Sequence, residues 1–296
     1  MRIGFGAPVS GSWATPDNMV RVARRAEELG YESLWTFQRL VSPADGHWGE
    51  MYRSVHDPIV TMAYLAAHTS RVRLGVAVLN APFVAPVILA KQLASVDVVS
   101  GGRLDVGLGA GWSAEEFAAV GADPAHRGRR VEQAVAAIRT LWTEDVDYAG
   151  TRVRMDPRPV QRPYPPILLG GTAPAALRRV GRVADGWISG SRADLATFGE
   201  AVAVARGAAQ RAGRDPDVLR FVARGSVRVR PAGDPEQRLL TGTLDKIRAD
   251  FDVIAQQGVT ELFVDLNFDE QIASPDADPA ASMARAEEVL EALAPR

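Results

Sequence analysis

The sequence lacks cysteine entirely, and it has only four histidines in 296 residues. Without cysteine the chain can form no disulfide bond, no thiolate metal site and no cysteine nucleophile, a composition that fits a reducing compartment. The histidines, His47, His56, His68 and His126, show no H-x-H or H-E-x-x-H spacing, which argues against a hydrolytic zinc site. We therefore predict a cytoplasmic protein without a bound metal.

Runs of basic residues and long apolar runs are also missing. Lys and Arg number 34 against 36 Asp and Glu, a net charge of −2, so the sequence has no electrostatic signature of nucleic-acid binding. The start, MRIGFGAPVS, has no long apolar segment after its arginine, and no later stretch approaches the roughly 18 apolar residues of a membrane helix. We expect neither a nucleic-acid partner nor a membrane span.

Short apolar runs alternate with longer stretches of helical period along the chain. Most of the runs are apolar on both faces, which is typical of a parallel sheet covered by helices. The repetition predicts a closed α/β barrel, and we expect one domain over residues 1–296, a usual size for such a barrel. The predicted strands are Arg2–Phe5, Ser33–Thr36, Val72–Val78, Leu104–Leu108, Ile167–Leu169, Gly186–Ile188, Leu219–Val229 and Leu262–Leu266. The predicted helices are Asp17–Leu29, Asp57–Ala67, Arg127–Trp142, Pro174–Val183, Leu195–Arg211, Leu244–Gln257 and Ala281–Leu293.

Two segments interrupt this alternation. Residues 39–56 form a long connection rich in Gly, Pro and aromatic residues after the second strand, and such connections are usually lids or binding loops. Residues 145–166 contain five prolines, which preclude a continuous helix. We interpret the second segment as an excursion from the barrel rather than a domain boundary.

Glycines cluster after two of the predicted strands. GLGAGW follows the fourth strand but lacks the last glycine of a dinucleotide-binding G-x-G-x-x-G, so it indicates either a tight turn or a close approach of backbone to a flat ring or phosphate. In ILLGGTAPAAL a predicted strand is likewise followed by glycines, here the pair Gly170-Gly171, and then by a predicted helix. A helix N-terminus there suits a phosphate, although Thr172 could simply cap its own helix.

Few of the residues at the predicted strand ends can titrate. Asp265 is isolated, and no second carboxylate at a neighbouring strand end could act with it as an acid and base pair. In a barrel of this kind the carboxyl ends of the strands carry the active site. A site built from glycine, amides and apolar walls implies that a cofactor supplies the chemistry.

Five segments resemble a known family: SLWTFQRL, VAVLNAPFVAPVILAKQLASVDVVSGGRLDVGLGAGWSAEEF, RGRRVEQAVAAIRTLWTED, PRPVQRPYPPILLGGTAPAALRRVGRVADGWI and GVTELFVDL. They look like the luciferase-like monooxygenase superfamily and, more narrowly, its branch of deazaflavin (coenzyme F420)-dependent oxidoreductases. The resemblance spans nearly the whole chain, with the segments in the same order. It is therefore specific at the level of the superfamily.

The resemblance implies a TIM (β/α)8 barrel with insertions that binds a flavin or deazaflavin at the carboxyl ends of its strands. In the family a non-proline cis peptide at the end of the third strand supports the back of the ring, and Ala77-Val78 is the best match. Asn80 falls where the family has a polar contact to the ring, although an Asn ahead of Pro82 is equally typical of a turn. The other matches are Gly107, Gly109 and Gly111 to a cofactor-lining loop, and Gly170, Gly171 and Thr172 to a phosphate-binding turn.

The chain departs from the family at the end of the second strand. Many deazaflavin enzymes carry Asp-His there, with the histidine close to the hydride-transferring carbon, whereas this chain has Gln38-Arg39. Arginine is a poor proton donor, but it can stabilise a developing anion or hold an acidic ligand, so Gln38 and Arg39 are our catalytic candidates. Pairing of Arg39 with a carboxylate in the long loop is an equally good interpretation. The aromatic residues Trp13, Trp48 and Tyr52 could line the substrate cavity or form the surface of a lid.

The expected function is an F420-dependent oxidoreductase that transfers a hydride between the deazaflavin and a small organic substrate. One alternative is an FMN-dependent monooxygenase that receives reduced flavin from a partner reductase and activates oxygen; another is a non-catalytic flavin-binding protein. The acidic polyglutamate tail of F420 requires a basic groove, to which Arg39 or Arg192 could contribute. The resemblance also implies a homodimer. We further expect Gly109→Val to abolish cofactor binding and leave the fold intact.

Overall fold

Eight parallel strands close into a barrel, with helices between successive strands, which confirms the predicted TIM-barrel fold. The structure is a computed structural model that describes residues 1–148, 150–236 and 238–296. Each barrel strand pairs with its neighbours in chain order, and the last strand closes on the first. The strands are β1 (Arg2–Gly6), β2 (Ser33–Thr36), β3 (Arg73–Asn80), β4 (Leu104–Gly109), β5 (Ile167–Leu169), β6 (Gly186–Ile188), β7 (Arg220–Ser226) and β8 (Glu261–Asp265).

The helices include every one that the sequence predicts. They are α1 (Pro16–Glu28), α2 (Pro58–Ala66), α3 (Pro86–Val99), α4 (Ala114–Ala119), α5 (Arg127–Thr143), α6 (Pro174–Val183), α7 (Phe198–Arg211), α8 (Leu244–Gln256), α9 (Glu270–Ala273) and α10 (Pro279–Ala292). The prediction omitted α3, α4 and α9. Helix α3 has the sequence PVILAKQLASVDVV, which is apolar on several sides and therefore shows little of the 3.6-residue period that reveals an amphipathic helix.

Among the described residues, neither of the two segments that interrupt the alternation contributes a strand to the barrel. Residues 39–56 are irregular except for a short 3₁₀ helix at Glu50–Tyr52. The proline-rich segment begins with an antiparallel pair, Val146–Tyr148 with Thr151–Val153, before the chain reaches β5. A further short pair, Arg228–Val229 with Thr241–Gly242, follows β7, so the predicted strand Leu219–Val229 is two separate strands.

A buried ionic cluster occupies the amino-terminal end of the barrel. Asp105 Oδ1 lies 2.7 Å from Arg73 Nη2 and 2.7 Å from Arg220 Nη1, and Arg220 Nη2 lies 3.0 Å from Glu261 Oε2. Burial would raise the pKa of Asp105, but the two arginines lower it to about 2. Because these residues begin their strands or stand next to the beginning, the cluster stabilises the end of the barrel opposite the expected site.

The first two glycines of GGRLDVGLGAGW, residues 101–112, lie in the turn before β4. Gly101 and Gly102 have φ angles of +68° and +84°, which favour glycine because it has no Cβ. The guanidinium of Arg103 donates from Nη2 to the Ala66 carbonyl oxygen at 3.1 Å and from Nη1 to the Val72 carbonyl oxygen at 2.8 Å. This half of the motif therefore holds the amino-terminal end of the barrel together.

Candidate cofactor-binding site

A cavity of about 520 Å³ opens at the carboxyl ends of the barrel strands, within the range of about 300–1,000 Å³ usual for small-molecule sites. Its walls come from β3 to β7 and from residues that follow β2 and β8. All but one of the predicted site residues line it: Gln38, Arg39, Ala77, Val78, Asn80, Gly109, Gly111, Gly170, Gly171 and Thr172. The structure thus brings the two glycine-rich segments and the end of β3 to one cavity.

The side chain of Val78 lies at the centre of this arrangement. The Ala77-Val78 peptide is cis, as expected, and the register of β3 against β4 shifts between Val76 and Leu79. A Cβ atom added to Gly109 would lie 2.4 Å from Val78 Cγ2, and one added to Gly170 would lie 3.3 Å from Val78 Cγ1. Gly109 at the end of β4 and Gly170 after β5 therefore make room for Val78, which itself lines the cavity.

Gly107 and Gly111 have different roles. Gly107 does not line the cavity, and a Cβ there would lie 2.1 Å from the carbonyl oxygen of Val76, so its missing side chain serves the close packing of β4 on β3. Gly111 lines the cavity with a φ of +74°, which favours glycine. A side chain at Gly111 would also meet the ring of Phe117 at 3.0 Å.

Arg224 is a cavity residue that the sequence analysis missed. It stands in the middle of β7, is only 6% exposed, and donates from Nη2 to the carbonyl oxygen of Ala77. Its Nε lies 3.5 Å from Asp265 Oδ2, and its guanidinium lies 5.0 Å from the ring centre of Phe268. Burial lowers the pKa of Arg224, and Asp265 offsets part of that effect. An arginine in the interior of a strand, between the apolar run FVA and Gly225, was the available signal, because arginine is rarely fully buried without a partner.

Arg39 is held in a cage of aromatic side chains with one carboxylate. Its Nη1 lies 3.1 Å from Glu116 Oε2, and its guanidinium carbon lies 4.8, 5.4 and 5.5 Å from the ring centres of Trp112, Tyr52 and Trp48. Burial lowers the pKa of Arg39, and Glu116 counteracts this. Arg39 therefore pairs with a carboxylate, but the partner, Glu116, belongs to α4 and not to the long loop.

Gln38 and Asn80 lie together at the inner wall. Gln38 Oε1 accepts a hydrogen bond of 2.9 Å from the backbone N–H of Asn80, so Gln38 fixes the end of β3. Asn80 precedes the 3₁₀ helix Ala81–Phe83, yet its side chain makes no capping hydrogen bond to that helix. The turn-forming interpretation of Asn80 is therefore not needed to explain its position.

The turn after β5 leads into α6 without a side-chain cap. The N-cap of α6 is Ala173, which makes no side-chain hydrogen bond, and Thr172 is exposed. The alternative that Thr172 merely caps this helix is therefore wrong. Gly171 has a φ of +110°, and its carbonyl oxygen accepts a 2.9 Å hydrogen bond from Trp187 Nε1. A fixed turn at a helix N-terminus is a suitable anion site.

The other predicted residues take separate positions. Tyr52 lines the cavity, and Trp48 lies beside it, with its ring centre 5.0 Å from that of Trp112. Trp13 is fully buried in the core and is not part of the cavity wall, so it does not line a substrate pocket. Arg192 is exposed and outside the cavity.

Two absences hold for residues 1–148, 150–236 and 238–296. No three His, Asp or Glu side chains there lie close enough together to hold a metal ion. No helix among them has the length and apolar character needed to cross a membrane.

Comparison with known proteins identifies the family. Residues 3–292 match the family model of the luciferase-like monooxygenases. The chain belongs to this family. Its members are oxidoreductases and monooxygenases, and enzymes with F420 and with FMN occur among the relatives and structural neighbours described next.

Named curated relatives match part of the luciferase-like chain. The oxygenase component of the flavin-dependent trigonelline monooxygenase of Acinetobacter baylyi is 30% identical over 53% of this chain and 44% of its own length. The FMNH2-dependent dimethylsulfone monooxygenase of Pseudomonas putida is 32% identical over 59% of this chain and 48% of its own length. The chain thus matches about half the length of these relatives.

Solved structures match this family member over nearly its whole length. The monooxygenase RslO1 of Streptomyces bottropensis covers 99% of the chain and 98% of its own, with a TM-score of 0.78 and 25% identity. An F420-dependent secondary alcohol dehydrogenase in complex with an F420-acetone adduct covers 99% and 98%, with a TM-score of 0.77 and 17% identity. The second likeness supports the fold alone.

Proposed function

We propose that this protein is an F420-dependent oxidoreductase that transfers a hydride between the deazaflavin and a small organic substrate. The observation that carries the proposal is the charge of the cavity, because its four charged lining side chains, Arg39, Arg127, Arg179 and Arg224, are all arginines. A planar cofactor with a phosphate and an acidic tail suits this potential. Since no carboxylate, histidine or lysine stands among the described lining residues, the redox chemistry would belong to the cofactor.

The outer end of the cavity would hold the phosphate and the tail. Residues 170–173 lead into the N-terminus of α6, where backbone N–H groups and the helix dipole favour an anion. Arg127 is exposed at the start of α5 and lines the same end. Arg179 also lines it but already pairs with Glu132, Nε to Oε1 at 2.9 Å. Arg127 is therefore the residue that we assign to a carboxylate of the tail.

The inner end would hold the ring. Reduced F420, when bound, supplies a hydride. The side chain of Val78 gives the ring an apolar surface to pack on, and the buried guanidinium of Arg224 stabilises negative charge close by. Asp265 pairs with Nε of Arg224 and the Ala77 carbonyl oxygen accepts from Nη2, which leaves Nη1 as the donor for a ligand. Tyr52 and Trp112 line the mouth and exclude water from the reacting atoms.

An FMN-dependent monooxygenase is the second candidate. It is favoured by the activities of the two named relatives, both flavin-dependent monooxygenases at 30% and 32% identity. In that case a partner reductase would supply the reduced flavin. A binding protein without catalytic activity is the third possibility, and turnover of any reducible substrate excludes it.

Parallel titrations of the purified protein with F420 and with FMN, followed by fluorescence quenching, test the proposal. We expect F420 to bind more tightly. Arg127→Gln should weaken F420 binding about two- to fivefold, the usual range for an exposed ion pair, and leave binding of a tail-less deazaflavin unchanged. Arg192→Gln, outside the cavity, is the matched control and should change neither. Tight binding of FMN without a response to F420 would overturn the assignment.

We also propose that the protein forms a homodimer through α2 and α3. Both helices expose apolar side chains on the outside of the barrel, with Val60 69%, Ile88 51% and Val99 60% exposed. Helices α2 and α3 pack on each other, so these side chains belong to adjoining faces. An exposed apolar surface of this kind is typical of an interface between subunits.

A further inference from the structure

The reduction that we propose needs a proton as well as a hydride. A carbonyl group that accepts a hydride at carbon leaves an oxyanion, which must be protonated. Gln38-Arg39 replaces the usual Asp-His of deazaflavin enzymes, and the Arg39 guanidinium remains charged. This inference rests on the proposed function and asks which residue of the cavity donates the proton.

Tyr52 is the strongest neutral acid among the described lining residues. That set contains no His, Asp, Glu, Lys or Cys, and its other hydroxyl groups belong to Thr172, Ser189 and Ser191, whose aliphatic alcohols are weaker acids than a phenol. Tyr52 comes from the 3₁₀ helix Glu50–Tyr52 in the long loop after β2. The loop therefore brings a phenol to the cavity from the same connection that would carry the missing histidine.

Contacts on several sides fix the Tyr52 ring. Its centre lies 6.5 Å from that of Phe37 and 5.9 Å from that of Phe268, both in edge-on geometry. The Arg39 guanidinium carbon lies 5.4 Å from the ring centre. The hydroxyl makes no hydrogen bond within the described ranges and is not enclosed by protein. It can therefore donate to a ligand in the cavity.

Two guanidinium groups stand near the Tyr52 ring. That of Arg39 lies over the ring itself, and Arg224 and Tyr52 both contact the ring of Phe268, at 5.0 and 5.9 Å from its centre. Arg39 uses Nε for the carbonyl oxygen of Gln38 and Nη1 for Glu116, and Arg224 uses Nη2 for the carbonyl oxygen of Ala77. In the part of the chain that the structure describes, these contacts and the ion pair of Arg224 Nε with Asp265 leave Nη2 of Arg39 and Nη1 of Arg224 as the remaining donors. These two nitrogens and the Tyr52 hydroxyl form what we call the donor cluster.

We propose that Tyr52 is the catalytic acid, and that the substrate is a carbonyl compound whose oxygen binds at the donor cluster. Reduced F420, when bound, would supply the hydride to the carbonyl carbon, or to the conjugated carbon of an enone, and would itself be oxidised. The Tyr52 hydroxyl gives its proton to the oxygen, where the negative charge develops, and Arg39 and Arg224 stabilise that charge. Water then returns a proton to the phenolate. The products are oxidised F420 and either an alcohol or, after conjugate addition, an enol that tautomerises in water to the saturated carbonyl compound.

Aromatic walls narrow the substrate class further. The rings of Phe37, Tyr52, Trp112 and Phe268 line the cavity around the donor cluster, and such walls favour flat, apolar molecules. The four charged lining side chains are arginines, three of which pair with carboxylates outside the lining, so no lining carboxylate is available to hold a cationic substrate. We therefore expect aryl or conjugated aldehydes and ketones to react best.

The first test measures oxyanion binding and needs no turnover. 4-Nitrophenol is titrated into the protein loaded with oxidised F420, and the visible absorbance reports how much of the bound probe is ionised. We expect the wild type to bind the phenolate form preferentially. The double variant Arg39→Gln/Glu116→Gln, which removes a buried pair without leaving a lone charge, should reduce phenolate affinity about tenfold, the effect of one lost charge-assisted hydrogen bond.

The second test measures reduction of cinnamaldehyde, benzaldehyde and 2-cyclohexenone by reduced F420. Tyr52→Phe keeps the ring and its contacts but removes the hydroxyl. It should lower the turnover number by about 100-fold or more, as expected for loss of a general acid, and leave the Kd for F420 within about twofold. Tyr64→Phe, on α2 outside the cavity, is the matched control and should react like the wild type.

Each outcome has a separate meaning. Unchanged turnover in Tyr52→Phe would overturn the assignment of the acid and leave Tyr52 as part of the wall. If the wild type binds F420 but reduces none of the three compounds, the substrate class is overturned while the proposed cofactor stands. If the wild type does not bind F420, the proposed function fails, and the nitrophenol titration of the unloaded protein then decides by itself whether the donor cluster binds an oxyanion.

Discussion

The contact between Gly109 and Val78 leads to a prediction with two separable readouts. A Cβ at Gly109 would lie 2.4 Å from Val78 Cγ2, and ordinary contacts begin at 3.4 Å, so Val78 would have to withdraw by about 1 Å. Overpacking of this kind costs about 1–3 kcal/mol. We therefore expect Gly109→Ala to lower the free energy of unfolding by that amount in urea denaturation followed by tryptophan fluorescence, and to weaken cofactor binding because Val78 lines the cavity.

A double-mutant cycle identifies the cause. Once Val78→Ala has removed Cγ2, the next neighbours of the new Cβ are Asn80 Oδ1 at 3.4 Å and Val78 Cβ at 3.6 Å, which are ordinary contacts. In that background Gly109→Ala should cost less than about 0.5 kcal/mol, while cofactor affinity stays low because the apolar surface of Val78 is gone. An equal cost in both backgrounds would refute the argument. The contact with Val78 also changes the expected result for Gly109→Val, which should disturb the barrel as well as the site.

Three further predictions concern stability and assembly. Asp105 has a folded pKa of about 2 against an ordinary 3.8. It therefore contributes about 2 kcal/mol to the free energy of unfolding, which is fully present above pH 4 and is lost as the pH falls toward 2. Asp105→Asn should reduce the loss of stability at acid pH in urea denaturations measured over a pH series. Thr15→Ala should destabilise α1 by about 1 kcal/mol because Thr15 accepts from the Asn18 N–H, whereas Thr172→Ala should change thermal unfolding little. Ile88→Asp should convert a dimer to a monomer in light scattering, and an unchanged mass would argue against the α2 and α3 interface.

The barrel could be predicted because its strands are short, apolar on both faces and separated by amphipathic helices. Where that alternation weakened, the prediction failed: α3 is apolar on several sides, so its period gave no signal. The one-domain organisation and the cytoplasmic location remain predictions. Local patterns thus specify the order of elements better than they specify each element.

The candidate site was predictable where one segment carries the information. The resemblance of single segments to the family assigned Gly109, Gly170 and the Ala77-Val78 peptide to a cofactor site, and all of them line one cavity. Contacts between distant segments could not be predicted in this way. Arg224 meets Ala77 across 147 positions, and Glu116 comes from a helix that the sequence pattern did not reveal. The glycines illustrate the same limit, because the missing side chains at Gly109 and Gly170 accommodate Val78, a neighbour that no local reading could identify.

The ionic cluster of Asp105, Arg73, Arg220 and Glu261 lies at the end of the barrel away from the cavity. These four residues therefore stabilise the folded barrel without lining the cavity. Exchanging residues 39–56 for a loop of another length or composition would leave that cluster untouched. Such separation makes the chain a practical scaffold for engineering, in which new substrate ranges are built at the mouth while the base is kept constant.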